Sequence, residues 1–147
     1  LSLLTRLLVD DLIANRPSYI LNVGSLAGFC YIPYKSLYTA TKSFVNTFTL
    51  SLKEELVDHG ICVSALCPGP VATNDDCRSR TEKHGLIAKM SQTESAYVAN
   101  KAINGMLAGK SIIIPGALNR FLFLLNYIIP KRLKFTMIKK EFLKELS

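Results

Sequence analysis

Tyr38 and Lys42 stand four residues apart in the segment Tyr38-Thr39-Ala40-Thr41-Lys42, and Ser25 lies thirteen positions before the tyrosine. Side chains four apart on a helix share one face. A positive charge beside a phenol stabilises the phenolate. Such a tyrosine can hand a proton to a carbonyl oxygen, or take one from an alcohol, near neutral pH. A serine hydroxyl arriving from a strand end can hold that oxygen in place.

The spacing alone does not single out this pair. Four of the six tyrosines have a lysine at +4: Tyr31/Lys35, Tyr38/Lys42, Tyr97/Lys101 and Tyr127/Lys131. Pro33 and Pro130 fall inside the first and last of these pairs, which disfavours a continuous helix there. Tyr97/Lys101 has no strand-end serine shortly before it and reads as a feature of a helix surface. Only Tyr38/Lys42 combines a helical setting, a preceding strand and a serine at that strand's end.

The elements that must position these groups can be read from pattern. Leu1, Leu4, Leu8 and Leu12 recur at helical spacing through Ala14. That helix begins in mid-stripe at a leucine, so sequence is expected upstream of it. Arg16-Pro17-Ser18 breaks it, and Tyr19 to Val23 reads as a buried strand followed by a Gly-Ser-Leu-Ala-Gly turn. Ser36 is a candidate cap for a long helix reaching about His59, with Gly60 as its stop. Phe44, Phe48, Leu52 and Leu56 are expected to line its inner face. Ile61 to Leu66 is a second apolar strand, ended by Cys67-Pro68-Gly69-Pro70. Val71 to about Ser91 is polar and reads as a flap. Thr93 to Leu107 follows as a helix, and Ser111 to Ile114 as a short strand closed by Pro115-Gly116. Leu118 to Leu146 holds two helical stretches separated by Pro130. Strands alternating with long helices predict a parallel α/β sheet. In such sheets chemistry gathers beyond the carboxyl ends of the strands, where Ser25 and the Pro68–Thr73 segment both fall.

Composition narrows the function classes. At 147 residues the chain is at most one domain, and 49% apolar content can supply a core. Cys30, Cys62, Cys67 and Cys77 form no C-x-x-C pair, and with only His59 and His84 a zinc site is not expected. His59 reads as a helix-end residue near the dipole, and His84 takes no role. The cysteines fit a reduced, cytoplasmic setting as small apolar fillers. A secretory signal is not expected, nor is a stretch of apolar residues long enough to span a membrane. The net charge of +7 is uneven: from Lys110 onward there are eight Lys or Arg and two Glu. A neutral body with a basic tail argues against a nucleic-acid surface across the domain. It leaves an acidic partner or a membrane surface for the tail, with packing over a substrate cleft or against another subunit as the alternative.

Taken together, Asn22-Val23-Gly24-Ser25-Leu26-Ala27-Gly28, Tyr38-x-x-x-Lys42 and Pro68-Gly69-Pro70-Val71-Ala72-Thr73 resemble the short-chain dehydrogenase/reductase family, in its order and at its spacings. The resemblance spans essentially the whole chain and matches the family's C-terminal part. It implies the C-terminal part of a Rossmann-like doubly wound parallel sheet over residues 1–116, with 117–147 as a basic amphipathic helical tail. It also implies an NAD- or NADP-dependent oxidoreductase acting on a small-molecule alcohol or carbonyl, with a lipid-like substrate suiting the tail, and a homo-oligomer. In that reading Tyr38 is the general acid/base, Lys42 holds the nicotinamide ribose and supports Tyr38, and Ser25 orients the substrate oxygen. Pro68, Gly69, Val71 and Thr73 line the nicotinamide pocket, and Tyr31 and Tyr34 lie between substrate contact and ordinary packing. The family's Gly-rich phosphate loop has no counterpart in this sequence: the two G-x-x-x-G spacings, Gly24/Gly28 and Gly105/Gly109, lack a third glycine two residues on. The asparagine that the family carries on the helix before Ser25 is expected upstream of Leu1, because Asn15 is too close to the strand. The competing expectation is therefore a catalytically incompetent fragment that serves only as an interaction or oligomerisation module.

Overall fold

The computed structural model describes residues 1–73, 89–130, 132–134, 136 and 138. Helix α1 (Ser2–Ala14) leads into strand β1 (Ser18–Val23), a 3-10 turn at Leu26–Phe29, and the long helix α2 (Ser36–Leu56). A further 3-10 turn, Val57–His59, precedes β2 (Ile61–Leu66). Two short strands follow, β3 (Val71–Ala72) and β4 (Thr93–Glu94), then helix α3 (Ser95–Leu107), strand β5 (Ile112–Ile113) and helix α4 (Ala117–Ile128).

The strands are parallel, as the alternation predicts. The main sheet has the order β1-β2-β5, with Ser18 opposite Ile61, Val23 opposite Leu66 and Leu66 opposite Ile113. Side chains alternate across a strand, and the two faces are covered by different helices. On one face Ile20, Ile61 and Val63 pack with Leu52, Leu56 and Phe48 of α2 and with Val9, Leu12 and Ile13 of α1. On the other, Leu21, Leu66 and Ile113 pack with Val98, Ala102 and Met106 of α3. The expected α/β class with flanking helices is what is observed.

Several boundaries differ from expectation for local reasons. Ser36 is the first residue of α2 rather than its cap, which is Lys35 and makes no side-chain capping bond. The Ser36 carbonyl instead accepts a hydrogen bond from Thr39 Oγ1 at 3.0 Å. The helix tightens after Leu56 and stops at Gly60, whose φ of 69° suits a residue without a Cβ. Thr93 is not helical: it pairs with Val71, so the polar stretch expected as a flap begins and ends in a small parallel sheet. Its interior, residues 74–88 with Cys77 and His84, lies outside the described residues, as does most of the second tail helix.

The inner face of α2 is the expected stripe at Phe48, Leu52 and Leu56 but not at Phe44. Leu52 and Leu56 are buried and Phe48 packs against them, but Phe44 is 54% exposed and stacks on Phe48. Leu52→Ala should therefore cost about 2–5 kcal/mol of unfolding free energy, whereas Phe44→Ala should cost about 1 kcal/mol or less. Urea denaturation of the two variants would separate the real core face from the apparent one; equal losses would contradict it.

Candidate active site

The carboxyl ends of β1 and β2 and the first turns of α2 meet on one side of the sheet. Ser25 follows β1 directly and is buried. Its Oγ accepts the Ala27 N–H at 3.1 Å and so caps the 3-10 turn. That bond uses a lone pair and leaves the hydroxyl proton free to donate. The turn lies against α2 so closely that a Cβ on Gly28 would sit 2.7 Å from the backbone of Lys42.

Lys42 Nζ donates to the Val23 carbonyl at 3.0 Å, across the end of β1. An ammonium has three donors, so two remain without a partner among the described residues. Tyr38, one turn earlier on the same helical face, is 48% exposed, and its ring is not part of the core. The pair therefore presents a phenol and a tethered cation at the mouth of the strand ends. The look-alike pair on α3 behaves differently: Lys101 Nζ lies over the Tyr97 ring, 5.6 Å from its centroid. Tyr31 and Tyr34 are exposed in the loop before α2, where Tyr34 has a φ of 65°.

The Cys67-Pro68-Gly69-Pro70 turn stands beside Ser25. Gly24 N–H donates to the Leu66 carbonyl at 2.9 Å and Leu26 N–H to the Pro68 carbonyl at 3.1 Å, so the β1 and β2 extensions are stitched together past the sheet. Thr93 N–H donates to the Pro70 carbonyl at 3.0 Å. Pro68, Gly69 and Val71 are half-buried and Thr73 is exposed. Ser25, Lys42 and the Pro68–Pro70 turn are thus neighbours, with Tyr38 one turn along α2; Thr73, exposed, follows β3.

Two buried asparagines organise this region, and neither was singled out from sequence. Asn46, one turn after Lys42 and 1% exposed, donates Nδ2–H to the Ser25 carbonyl at 3.0 Å and accepts the Ser25 N–H at Oδ1, 3.4 Å away. The same Oδ1 accepts the Cys67 thiol at 3.4 Å. A Cβ on Gly24 would fall 1.9 Å from that oxygen, and one on Gly28 would fall 2.5 Å from Nδ2. Gly24 therefore makes room for the Asn46 amide, and Gly28 lets the turn approach both that amide and the Lys42 backbone. Asn119 on α4 donates to the Ser91 carbonyl at 2.9 Å and the Pro115 carbonyl at 3.0 Å, and its Oδ1 occupies the place a Gly69 Cβ would need. Asn126 donates to the Phe29 carbonyl at 3.0 Å, and Phe29 meets Phe123 edge-on at 5.0 Å, so α4 closes over the turn after Ser25. A polar residue continuing the Tyr38/Lys42 face by one more turn was the available signal for Asn46.

Among the described residues no cluster of His, Cys, Asp and Glu suits a metal, and no helix is long and apolar enough to cross a membrane. The fold and this arrangement define a parallel α/β sheet with a Ser–Tyr–Lys set at its carboxyl edge. The family model described as short chain dehydrogenase matches residues 1–84, and the chain belongs to that family. The mouse very-long-chain 3-oxoacyl-CoA reductase is 38% identical over 69 residues, which is 47% of this chain and 22% of that protein. Among solved structures, a 3-oxoacyl-[acyl-carrier protein] reductase with bound NAD from Brucella melitensis superposes with a TM-score of 0.60 at 27% identity, over 76% of this chain and 44% of that one. A 7beta-hydroxysteroid dehydrogenase superposes with a TM-score of 0.73 at 17% identity, over 91% and 51% respectively, which speaks to fold alone. The chain thus spans less than a quarter of its curated relative and about half of each solved chain.

Burial pushes the Cys67 thiol up to about 12, against the opposing pull of the Ser25 N–H and the Lys42 charge. A thiol alkylates as its thiolate. Because the folded pKa lies above the ordinary value of 9.0, the thiolate stays scarce well past the pH at which a free cysteine ionises. Cys67 should then resist iodoacetamide in the native chain at pH 9 and react on unfolding. Peptide mass spectrometry would report this, and rapid native labelling would refute the buried placement.

Proposed function

We propose that this chain carries the proton-transfer part of an NAD(P)-dependent oxidoreductase that interconverts an alcohol and a ketone or aldehyde. The main support is Ser25, capped so that its hydroxyl proton stays free, beside a helix whose outer turn presents Tyr38 and Lys42. In the reducing direction the Ser25 hydroxyl donates a hydrogen bond to the substrate carbonyl oxygen, and the Tyr38 phenol gives that oxygen its proton. The Lys42 ammonium stabilises the phenolate left behind. In the oxidising direction the same groups act in reverse: the phenolate takes the alcohol proton while Ser25 keeps the oxygen in register.

The donors present suit the ribose and nicotinamide end of the cofactor. Lys42 has two unused N–H groups for the ribose hydroxyls, and Tyr38 and Thr73 carry exposed hydroxyls. The turn at Pro68, Gly69 and Val71 offers a wall, with Asn119 lying close against Gly69. The bound nicotinamide supplies or accepts the hydride. For substrate, we favour a 3-oxoacyl chain, because the mouse relative and the Brucella melitensis structure both bear that substrate in their names. On this reading residues 1–116 belong to the catalytic domain and α4 begins the basic tail.

A second reading has one observation in its favour. No G-x-x-x-G-x-G phosphate loop occurs in these 147 residues, which suits a module that assembles without turning over. Titrating NADH and NADPH against the chain, read by nicotinamide fluorescence, discriminates the two: tight binding excludes the module, and absent binding favours it. Under the first reading Tyr38→Phe should lower kcat for ketone reduction by about 10²-fold or more. The far-UV circular dichroism and the cofactor affinity should stay as in the parent. A Tyr38→Phe variant that keeps substantial turnover would overturn the assignment.

A further inference from the structure

We propose that Asn46 is the positioning residue of the site, setting where Ser25 points and locking that setting to the Cys67–Pro70 turn. The inference rests on the reading of Ser25 as the group that orients the substrate oxygen.

Three observations carry it. First, Asn46 binds both backbone groups of one residue: Nδ2 donates to the Ser25 carbonyl and Oδ1 accepts the Ser25 N–H. A two-point contact fixes orientation as well as distance, because it restrains the peptide planes on both sides of Ser25. Among the described residues the Ser25 Oγ is held by the Ala27 N–H alone, so its direction follows that backbone. Second, Oδ1 also accepts the Cys67 thiol. One side-chain amide therefore ties together the residue after β1, the residue after β2 and helix α2, which also carries Tyr38 and Lys42. Third, the chain leaves room for it. Gly24 and Gly28 bracket Ser25, and a methyl group at either would collide with the Asn46 amide. A merely buried asparagine would need partners; it would not need two neighbouring glycines and contacts on both sides of one functional residue.

Asp is the decisive substitute. Asn46→Asp keeps the volume and one acceptor oxygen, and loses the N–H that meets the Ser25 carbonyl. When protonated, its hydroxyl can donate in place of Nδ2; when ionised, two acceptors face each other. The groups facing this position are Lys42 on the same helix, the Cys67 thiol at the end of β2 and the Ser25 backbone. Burial favours the neutral acid and the Lys42 charge opposes it.

The test uses the 147-residue chain labelled with ¹⁵N, and the Ser25 amide resonance is the readout independent of activity. In Asn46→Asp that resonance should match the parent at acid pH and move away as pH rises, in one titration that the parent lacks, with circular dichroism unchanged. In turnover, Asn46→Ala should lower kcat about tenfold or more, with the cofactor KM within about twofold. Asn46→Ala should add nothing further in a Ser25→Ala background, since residues acting through one another are not additive. A Ser25 resonance indifferent to pH in Asn46→Asp would overturn the proposal, as would losses that multiply in the double variant. Should Ser25→Ala leave turnover intact, the oxidoreductase reading fails instead, and the resonance still decides the role of Asn46.

Discussion

The polar contact on which the site's geometry depends is the pairing of the Asn46 amide with the Ser25 backbone. A polar group left unmatched in the interior costs about 1–3 kcal/mol, and an amide brings both donors and acceptors. Here Oδ1 accepts two bonds and Nδ2 donates one, all to atoms at the ends of β1 and β2. The same physics continues down the helix, where Asn22 donates to Thr49 Oγ1 at 3.0 Å and Thr49 in turn donates to the Val45 carbonyl at 2.6 Å. The N-terminal part of the α2 inner face is thus a hydrogen-bonding column. From Phe48 onward the helix also meets the core, with Leu52 and Leu56 buried in it.

This division explains how the helix serves two ends at once. Leu52 and Leu56, against Ile61 and Val63, contribute burial and hold the helix to the sheet. Lys42, Asn46 and Thr49 contribute little apolar area but determine direction through bonds to Val23, Ser25 and Asn22. Hydrogen bonds fail steeply with angle, whereas apolar contacts tolerate sliding. A helix anchored by leucines at one end and aimed by amides and hydroxyls at the other keeps Tyr38 and Lys42 in a narrow range of positions relative to Ser25.

The order and class of the elements were legible because their signals are local. Ile61 to Leu66 is apolar and β-branched between Gly60 and Pro68, and the chain could hardly do otherwise there. Tyr38/Lys42 was legible only through its neighbours, since Tyr97/Lys101 has the same spacing and spends its lysine on its own ring. What could not be read were the roles of residues whose partners are distant in sequence. Asn46 reaches Ser25 across 21 residues, and Asn126 reaches Phe29 across 97. Phe44 shows the converse error: apolar periodicity assigned it to the inside, but the polar column had already taken that face. Gly24 and Gly28, which had no assignable role in sequence, prove to be clearance for the Asn46 amide and, at Gly28, for the Lys42 backbone as well.

Asn119 and Asn126 extend the argument beyond α2. Loops that leave a parallel sheet carry backbone groups that no further strand will pair, and buried ones must be met by something. In this chain the loop after β1 and the segment before β4 are met by helix-borne asparagines: Asn46 at Ser25, Asn126 at Phe29, Asn119 at Ser91. A side-chain amide supplies a donor and an acceptor at once, as a strand would, but from a point rather than a line. It can therefore pin a single residue of a turn and leave the next one free to meet a ligand. That is the arrangement around Ser25, whose backbone is fully engaged and whose hydroxyl proton is not.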